Sequence, residues 1–521
     1  MFRAIRCTLR LARAGFVFAR HGVLAIPDTE EMPRSLQFAI RAARLIERKD
    51  IAEQKSQRLS MAFTALGPTY IKLGQFLATR RDLVGDALAA DLSHLQDKIP
   101  PFGHTRAMKE IEAALGPVTD HYNDIGEPIA AASIAQVHKA TTTEGRTVAV
   151  KVQRPGVARR FAGDLESFFF AARMVERLSP EARRLRPVTV VETLARSILL
   201  EMDFRLEAAA ISEMAGNIAK DTGFRVPELD WSRTSRSVLT IEWIDSTPMS
   251  DVAAVEAQGH DMERLGASVI QHFLRHAMRD GFFHADMHQG NLFVDPDGTI
   301  AAVDFGIMGR LSPKERRFLA EILFGFIRRD YCRVAQVHFD AGYVPDHHDV
   351  DMFAQALRAI GEPLMDRDAS EISMAKLLTQ LFQVTDLFDM ETQPQLLLLQ
   401  KTMVVVEGVA RNFDPRVNMW TTSEPVVTEW IESNLGPEGR LHDAAEGAQV
   451  FGQFLGAVPS LLMRAERTAE MAQSMAQAGV RLDEETVRAI ARAEAAETRS
   501  GRVALWVGAA ALAAMAVRMF V

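Results

Sequence analysis

Cysteine is scarce in this chain of 521 residues: only Cys7 and Cys332 are present. Two thiols cannot build the cross-linked framework of a small secreted protein, and their scarcity fits a reducing compartment. Strong net charge is also missing. Sixty Lys and Arg against 68 Asp and Glu leave a formal charge of -8, which does not point to nucleic acid as a partner. No segment recurs at a fixed period. The first 27 residues hold no acidic residue, and no uninterrupted apolar core of the length a secretory signal requires. The length allows more than one domain and a large buried core.

What is present centres on one stretch. Gly281-Phe282-Phe283-His284-Ala285-Asp286-Met287-His288-Gln289-Gly290-Asn291 leads into Leu292-Phe293-Val294, and Ala302-Val303-Asp304-Phe305-Gly306 follows. Asp286 and Asn291 have the spacing at which a kinase catalytic loop sets a carboxylate beside the acceptor hydroxyl and an amide oxygen on Mg2+. Asp304 supplies a second metal ligand. Two apolar runs, Leu292 to Val294 and Ile300 to Val303, flank the turn Asp295-Pro296-Asp297-Gly298 and predict a hairpin. That hairpin brings Asn291 and Asp304 to one end of two paired strands, where both oxygens reach a single ion; Mg2+ favours oxygen ligands. Singly, Asp-Phe-Gly is most often a turn and His-x-Asp a solvated pair. Together, in this order, they point to phosphoryl transfer. His288 stands where protein kinases usually carry Lys, which keeps a small-molecule phosphotransferase open as an alternative.

Upstream, Thr147-Val148-Ala149-Val150-Lys151-Val152 matches the kinase strand whose lysine contacts the α- and β-phosphates, so Lys151 is the expected nucleotide lysine. The strand-like run before it, from Ile125, carries Ala130-Ala131-Ala132-Ser133 where a protein kinase has its glycine-rich loop. Alanine resists positive φ and close backbone approach, so the phosphates have to be held differently. Ser237 to Trp243 reads as a strand, with Glu242-Trp243-Ile244 as the hinge whose backbone reads adenine.

Helical spacing predicts helices over 36–48, 52–66, from Thr69, near 86–97, and over 104–115, 156–178, 187–219 and 262–279. The helix from Thr69 sets Lys72 and Gln75 on one face. The helix over 187–219 contains Glu201, Asp203 and Glu207, acids able to pair with Lys72 or Lys151. After Gly306, only Ile307 to Leu311 separate the metal motif from a capped helix at Ser312-Pro313-Lys314-Glu315. No Ala-Pro-Glu follows, so the usual platform for a peptide substrate is missing. Residues 312–500 read as successive helices.

The chain ends carry their own signals. Arg3, Arg6, Arg10, Arg13 and Arg20 alternate with Phe2, Ile5, Leu9 and Phe16 at helical spacing. This basic amphipathic helix is read first as a membrane-surface contact, with a targeting segment or a cap on the fold as alternatives. Val503 to Val517 is uncharged and is followed by Arg518. Fifteen residues at about 1.5 Å each give about 22 Å against a hydrocarbon core near 30 Å; extension to Val521 with Arg518 snorkelling approaches a full span. A single-span anchor is the reading taken, against a buried terminal helix in a soluble homodimer.

Over roughly residues 30–440 these motifs, in order, resemble the UbiB family of atypical kinases, which supports ubiquinone biosynthesis. The resemblance rests on Lys72-Leu73-Gly74-Gln75, the alanine-rich loop Ala130 to Ser133, Lys151, Glu201-Met202-Asp203, His284 to Asn291 and Asp304-Phe305-Gly306. It implies an α+β, protein-kinase-like two-lobed fold whose helical N-terminal extension folds over the active site, with Lys72 paired to Glu201 or Asp203. It further implies ATP and Mg2+ as cofactors, with Asp286 and Lys151 catalytic and Asn291 and Asp304 on the metal. Ala130, Ala131, Ala132, Ser133, Lys151, Glu242 and Ile244 would bind nucleotide, and Lys72, Gln75, Glu201 and Asp203 would regulate. Membrane lipids, isoprenoid quinone precursors and other ubiquinone-biosynthesis proteins are the implied partners, at a bacterial inner membrane with the kinase-like domain cytoplasmic. The expected organisation is a basic segment over 1–29, a helical extension over 30–120, an N-lobe over 121–245, a C-lobe over 246–440, a helical linker over 441–500 and a transmembrane anchor over 501–521.

Overall fold

The computed structural model describes residues 2–23, 58–78, 99–178, 186–365, 387–390 and 394–436, with isolated positions between these blocks. They fall almost wholly within one unit, Met1–Ile431; a second unit, Glu432–Val521, is described only through residue 436. The helix expected over 36–48, the linker over 441–500 and the membrane anchor over 501–521 lie outside the described residues. Among the described residues no helix is long and apolar enough to cross a membrane. The anchor therefore rests on the sequence pattern alone.

The N-terminal part supplies α1 (Phe2–Arg20), α2 (Arg58–Leu66), α3 (Pro68–Ala78) and α4 (His104–Leu115). The break between α2 and α3 falls at Gly67-Pro68, as the sequence predicts. Helix α1 is held by Arg10 Nη1, 2.9 Å from Asp164 Oδ1, and by Arg3, 3.3 Å from Glu166, with Cys7 and Ala14 buried. Its apolar stripe points the other way: Ile5, Leu9 and Phe16 are 47%, 65% and 50% exposed. The helix thus caps the fold and still presents an apolar face outward.

Strands β1 (Tyr122–Ala131), β2 (Ala135–Thr142) and β3 (Thr147–Gln153) come next. Then follow α5 (Val157–Leu178), α6 (Pro187–Glu201), α7 (Phe204–Asn217), β4 (Phe224–Arg225) and β5 (Val238–Glu242). β1, β2, β3 and β5 form an antiparallel sheet in that order. Val148, Val150 and Val152 cluster with Ile111 of α4 and with Tyr122, Ile125 and Val238. Because side chains alternate across a strand, burying these valines turns Ala149 and Lys151 to the opposite face.

The single helix expected over 187–219 is two. Met202 and Asp203 interrupt it, and the Asp203 carboxylate caps α7 by accepting the Arg205 N–H at 3.2 Å, the capping role short polar side chains favour. The break re-aims the chain between Glu201 and Glu207.

The remaining part begins with β6 (Thr247–Pro248), α8 (Val252–Ala257) and α9 (Met262–Arg275). Short strands β7 (Phe282–His284), β8 (Leu292–Val294), β9 (Ile300–Ala302) and β10 (Met308–Arg310) carry the catalytic stretch. Helices α10 (Pro313–Ile327), α11 (Tyr331–Asp340), α12 (Val350–Met365), α13 (Pro394–Phe413) and α14 (Met419–Leu435) complete the described chain. Where the sequence predicts α9 running to residue 279, the last turn widens into a π-helix over His276–Asp280, closed by Gly281 at φ 64°. A Cβ on Gly281 would sit 2.5 Å from the Leu311 carbonyl oxygen, so glycine is required there both for the left-handed backbone and for space. This turn delivers the chain into β7 and the catalytic loop.

Candidate active site

The predicted hairpin forms: Leu292 pairs with Ala302, Phe293 with Ala301 and Val294 with Ile300. Val303 N–H donates to the Asn291 carbonyl at 2.9 Å, extending the ladder one step and placing Asn291 and Asp304 together at its end. Asn291 is 7% exposed, and its Nδ2 donates to the Asp286 carbonyl at 3.1 Å. With the amide nitrogen engaged, the amide oxygen is the atom left for a cation.

His284 is fully buried and joins the two halves of the site. Its Nε2 is 3.0 Å from the Val303 carbonyl and its Nδ1 accepts the Asp286 N–H at 3.0 Å. This fixes the tautomer and sets the backbone at Asp286 against the metal motif. Burial pushes the imidazole pKa below its ordinary value, so the ring stays neutral in this role. His288 Nδ1 accepts the Gly290 N–H at 3.0 Å, and its Nε2 lies 3.9 Å from Asp286 Oδ2. His288 thus faces the carboxylate expected to orient the acceptor.

Asp304 has φ 62°, in the left-handed region that Asp tolerates better than most residues. Its Oδ1 is 3.0 Å from Lys151 Nζ, and its side chain remains 52% exposed, so the carboxylate stays open to a cation from the cleft. Lys151 also meets both oxygens of Glu207, at 2.9 and 3.0 Å. Burial alone would lower the Lys151 pKa, but the Asp304 and Glu207 carboxylates overcome it and hold the ammonium above the ordinary lysine value. The Lys151 charge in turn holds Asp304 well below the usual carboxylate range, with Lys72 adding to it.

Of the three acids expected as partners for Lys72 or Lys151, Glu207 is the one that takes Lys151. Burial first, with the Asp304 charge beside it, pushes its pKa up to about 7 despite Lys151. The sequence does carry a signal for it. Phe204, Glu207, Ala208, Ile211 and Met214 form the buried stripe of α7, so Glu207 is an acid on an apolar helix face, where an unpaired charge is costly. A lysine and a helix glutamate joined in this way match the ion pair that protein kinases need for phosphate positioning.

A pH dependence follows. With its pKa raised from the ordinary 4.5 toward about 7, Glu207 should take up its proton at higher pH in the folded chain than in the unfolded one. The folded state binds the extra proton, so stability falls as pH rises through this window. Glu207→Gln cannot titrate and should flatten the decline, which melting curves collected from about pH 5 to about pH 8 would show. Parallel slopes for parent and variant would mean that Glu207 is ionised throughout.

The extension motif reaches the same place. Lys72 on α3 pairs with Glu201 at the end of α6, with side chains 11% and 23% exposed. Asp203, expected as an alternative partner, is instead the cap of α7 and binds the Arg205 guanidinium at 2.9 and 2.6 Å. Gln75 lies on α3 one turn beyond Lys72 and is half-buried. Gly74 between them answers to space: a Cβ would lie 2.2 Å from Leu95 Cδ1 and 2.4 Å from Phe63 Cδ2.

The alanine-rich segment is half strand. Ala130 and Ala131 end β1 opposite Val137 and Gln136, and Ala132 N–H closes the tip on the Ala135 carbonyl at 2.8 Å. Arg154 Nε holds the Ala132 carbonyl at 2.8 Å, while its Nη2 reaches the Ile99 and Pro100 carbonyls at 3.1 and 2.9 Å. The tip is therefore tethered to the extension. Ser133 Oγ is buried without a protein partner among the described residues. At the expected hinge, Glu242 N–H donates to the Glu228 carbonyl at 2.8 Å and Trp243 N–H to the Thr147 carbonyl at 3.3 Å; the Glu242 carboxylate binds Arg225 at 2.9 Å. Two of the three hinge N–H groups are thus spent within the fold, and Ile244 is buried.

After Gly306 the chain enters β10, which pairs with β7 through Met308–His284, Gly309–Phe283 and Arg310–Phe282. Helix α10 then begins at a complete capping box of Ser312 and Glu315. The stretch between the metal motif and α10 is thus a direct strand-to-helix connection.

Residues 94–338 match the ABC1 atypical kinase-like domain and residues 357–418 the UbiB helical domain. The chain is 39% identical to "Probable protein kinase UbiB" of Marinobacter nauticus over 82% of its own length and 80% of that protein. It is 40% identical to the protein of the same name from Azotobacter vinelandii, over 76% and 75% respectively. Among solved structures, the Rv3197–erythromycin complex from Mycobacterium tuberculosis aligns with a TM-score of 0.50 at 23% identity, covering 75% of this chain and 98% of that one, a likeness of fold. With the kinase-like lysine, glutamate and two aspartates assembled beside the extension motif, the chain belongs to the UbiB family of atypical kinase-like proteins.

Proposed function

We propose that this chain is a Mg2+-dependent, ATP-binding kinase-like enzyme that supports ubiquinone biosynthesis at the bacterial inner membrane. The observation that carries the reading is Lys151 held between Glu207 and Asp304, beside an Asn291 whose amide oxygen is left for a cation. The donor set fits the nucleotide. Asp304 and Asn291 would hold Mg2+, which when bound neutralises charge on the β- and γ-phosphates. Lys151 orients the phosphates, and the buried Ser133 hydroxyl at the alanine-rich tip is a free donor for one of their oxygens. Asp286, kept in place through its backbone by His284 and Asn291, orients a water or hydroxyl. The Ile244 region is where adenine would be read.

The direct strand-to-helix connection after Gly306 leaves no usual peptide platform among the described residues, and Lys72 and Glu201 tie the extension beside the site. That favours ATP hydrolysis coupled to isoprenoid quinone precursors and membrane lipids, with other proteins of the pathway as partners. The outward apolar stripe of α1 supports contact with a membrane surface. His288 beside Asp286 favours a second reading, transfer to a small alcohol or lipid. Full-length protein with γ-labelled ATP separates the two: free phosphate supports the ATPase, and label on a lipid or small alcohol supports the transferase. Intact binding without turnover would leave a nucleotide-responsive scaffold. Ubiquinone and precursor levels in a deletion strain test the pathway, and unchanged levels would remove it.

A further inference from the structure

Three ligating side chains outside the nucleotide site converge on one point. His348 Nε2 lies 3.1 Å and His347 Nε2 3.7 Å from the same Asp389 Oδ2, and one ligand atom from each residue falls within 4.8 Å of the others. Ligands at about 2.0–2.1 Å around a tetrahedral zinc-class ion stand roughly 3.3–3.4 Å from one another. The two distances to Asp389 Oδ2 bracket that value.

The three come from two ordered anchors. His347 and His348 sit on the turn between α11 and α12, where His348 N–H donates to the Pro345 carbonyl at 3.1 Å and Asp349 accepts the Met352 N–H of α12 at 2.9 Å. Asp389 follows Phe388, which is buried against Phe353 of α12 with ring centroids 4.9 Å apart. The His348 ring packs on that same Phe388 at 5.3 Å. A plain ion pair needs one imidazole; here two rings, 4.1 Å apart between centroids, meet one carboxylate. A divalent cation uses all three lone pairs.

We propose that His347, His348 and Asp389 form a transition-metal site of the zinc class that fastens Phe388 and Asp389 to the α11–α12 turn. Two imidazole nitrogens select such a metal over Mg2+, which seeks oxygen. Three protein ligands leave the remaining coordination to water. Helix α13, which begins at Pro394, touches the catalytic loop. Thr402 Oγ1 of that helix donates to the Ala285 carbonyl of the catalytic loop at 3.1 Å, and Asn412 Nδ2 to Gln289 Oε1 at 3.0 Å.

The test uses the untagged full chain, stripped by chelator and dialysed against Zn2+ or Co2+. The parent should retain one equivalent of zinc after gel filtration, melt at a higher temperature with zinc than without, and give the visible absorption of nitrogen-ligated cobalt. His347→Ala and Asp389→Gly alter exposed side chains, 67% and 68% exposed, and glycine suits the left-handed backbone at Asp389, φ 50°. Each should keep Mg-ATP binding yet weaken zinc by more than the roughly 10–100-fold that loss of an outer partner of a metal ligand costs. Zinc uptake and zinc-dependent melting unchanged in the two variants, or no zinc uptake by the parent, overturns the site.

Discussion

Asp304→Asn should weaken Mg2+-dependent ATP binding by about a hundredfold, about 2.7 kcal/mol. The substitution is nearly isosteric, and Asn accepts the left-handed backbone that Asp304 adopts at φ 62° as readily as Asp does. It therefore isolates the charge. In the parent, Lys151 depresses the Asp304 pKa, so the carboxylate is ionised across the physiological range, and it remains half open to the cleft. A neutral amide offers a weaker oxygen to a hard cation. Lys151 keeps Glu207 at 2.9 Å, so the lysine itself should stay in place. Thermal shift with Mg-ATP reads the effect, and parent-like affinity in the variant would remove Asp304 from the metal.

Lys72→Met should act in the opposite direction on activity. The Lys72–Glu201 pair ties α3 to the end of α6, and the same ammonium is close enough to Asp304 to help lower its pKa. Removing it leaves the Glu201 carboxylate without this partner in a largely closed site, a loss of about 1–3 kcal/mol in stability. It also releases the extension from the cleft. Label transferred from γ-labelled ATP to the protein itself should rise about tenfold, the equivalent of about 1.4 kcal/mol, while quinone synthesis fails. Ala131→Gly should likewise raise self-labelling and change nucleotide affinity; lying in β1 opposite Gln136, it adds a conformational cost of about 0.5–1 kcal/mol. Self-labelling and affinity equal to the parent in both variants would make the extension motif and the alanine tip purely structural.

Local chemistry was the legible part of this chain. The hairpin around Asp295 to Gly298 follows from two apolar runs and a turn, and the capping box at Ser312 and Glu315 from four adjacent residues. Both place site residues without reference to anything distant. Pairing across the sequence was harder to read. β7 and β10 are three residues each and meet only after the hairpin has intervened, too short for a periodicity signal. The break at Met202–Asp203 was hidden because the apolar spacing runs through it. That hid the division of labour among three acids: Glu201 for Lys72, Asp203 as a cap, Glu207 for Lys151. Gly74 likewise gave no local reason for itself, since the neighbours that exclude a Cβ there, Phe63 and Leu95, belong to other segments.

The most direct test of the central claim is calorimetric titration of the intact protein with ATP, with Mg2+ present and again after its removal by chelator. Saturable binding that requires Mg2+, and that falls away in Asp304→Asn, is the expected result. ATP affinity indifferent to both the ion and the substitution, or no binding at all, would contradict it.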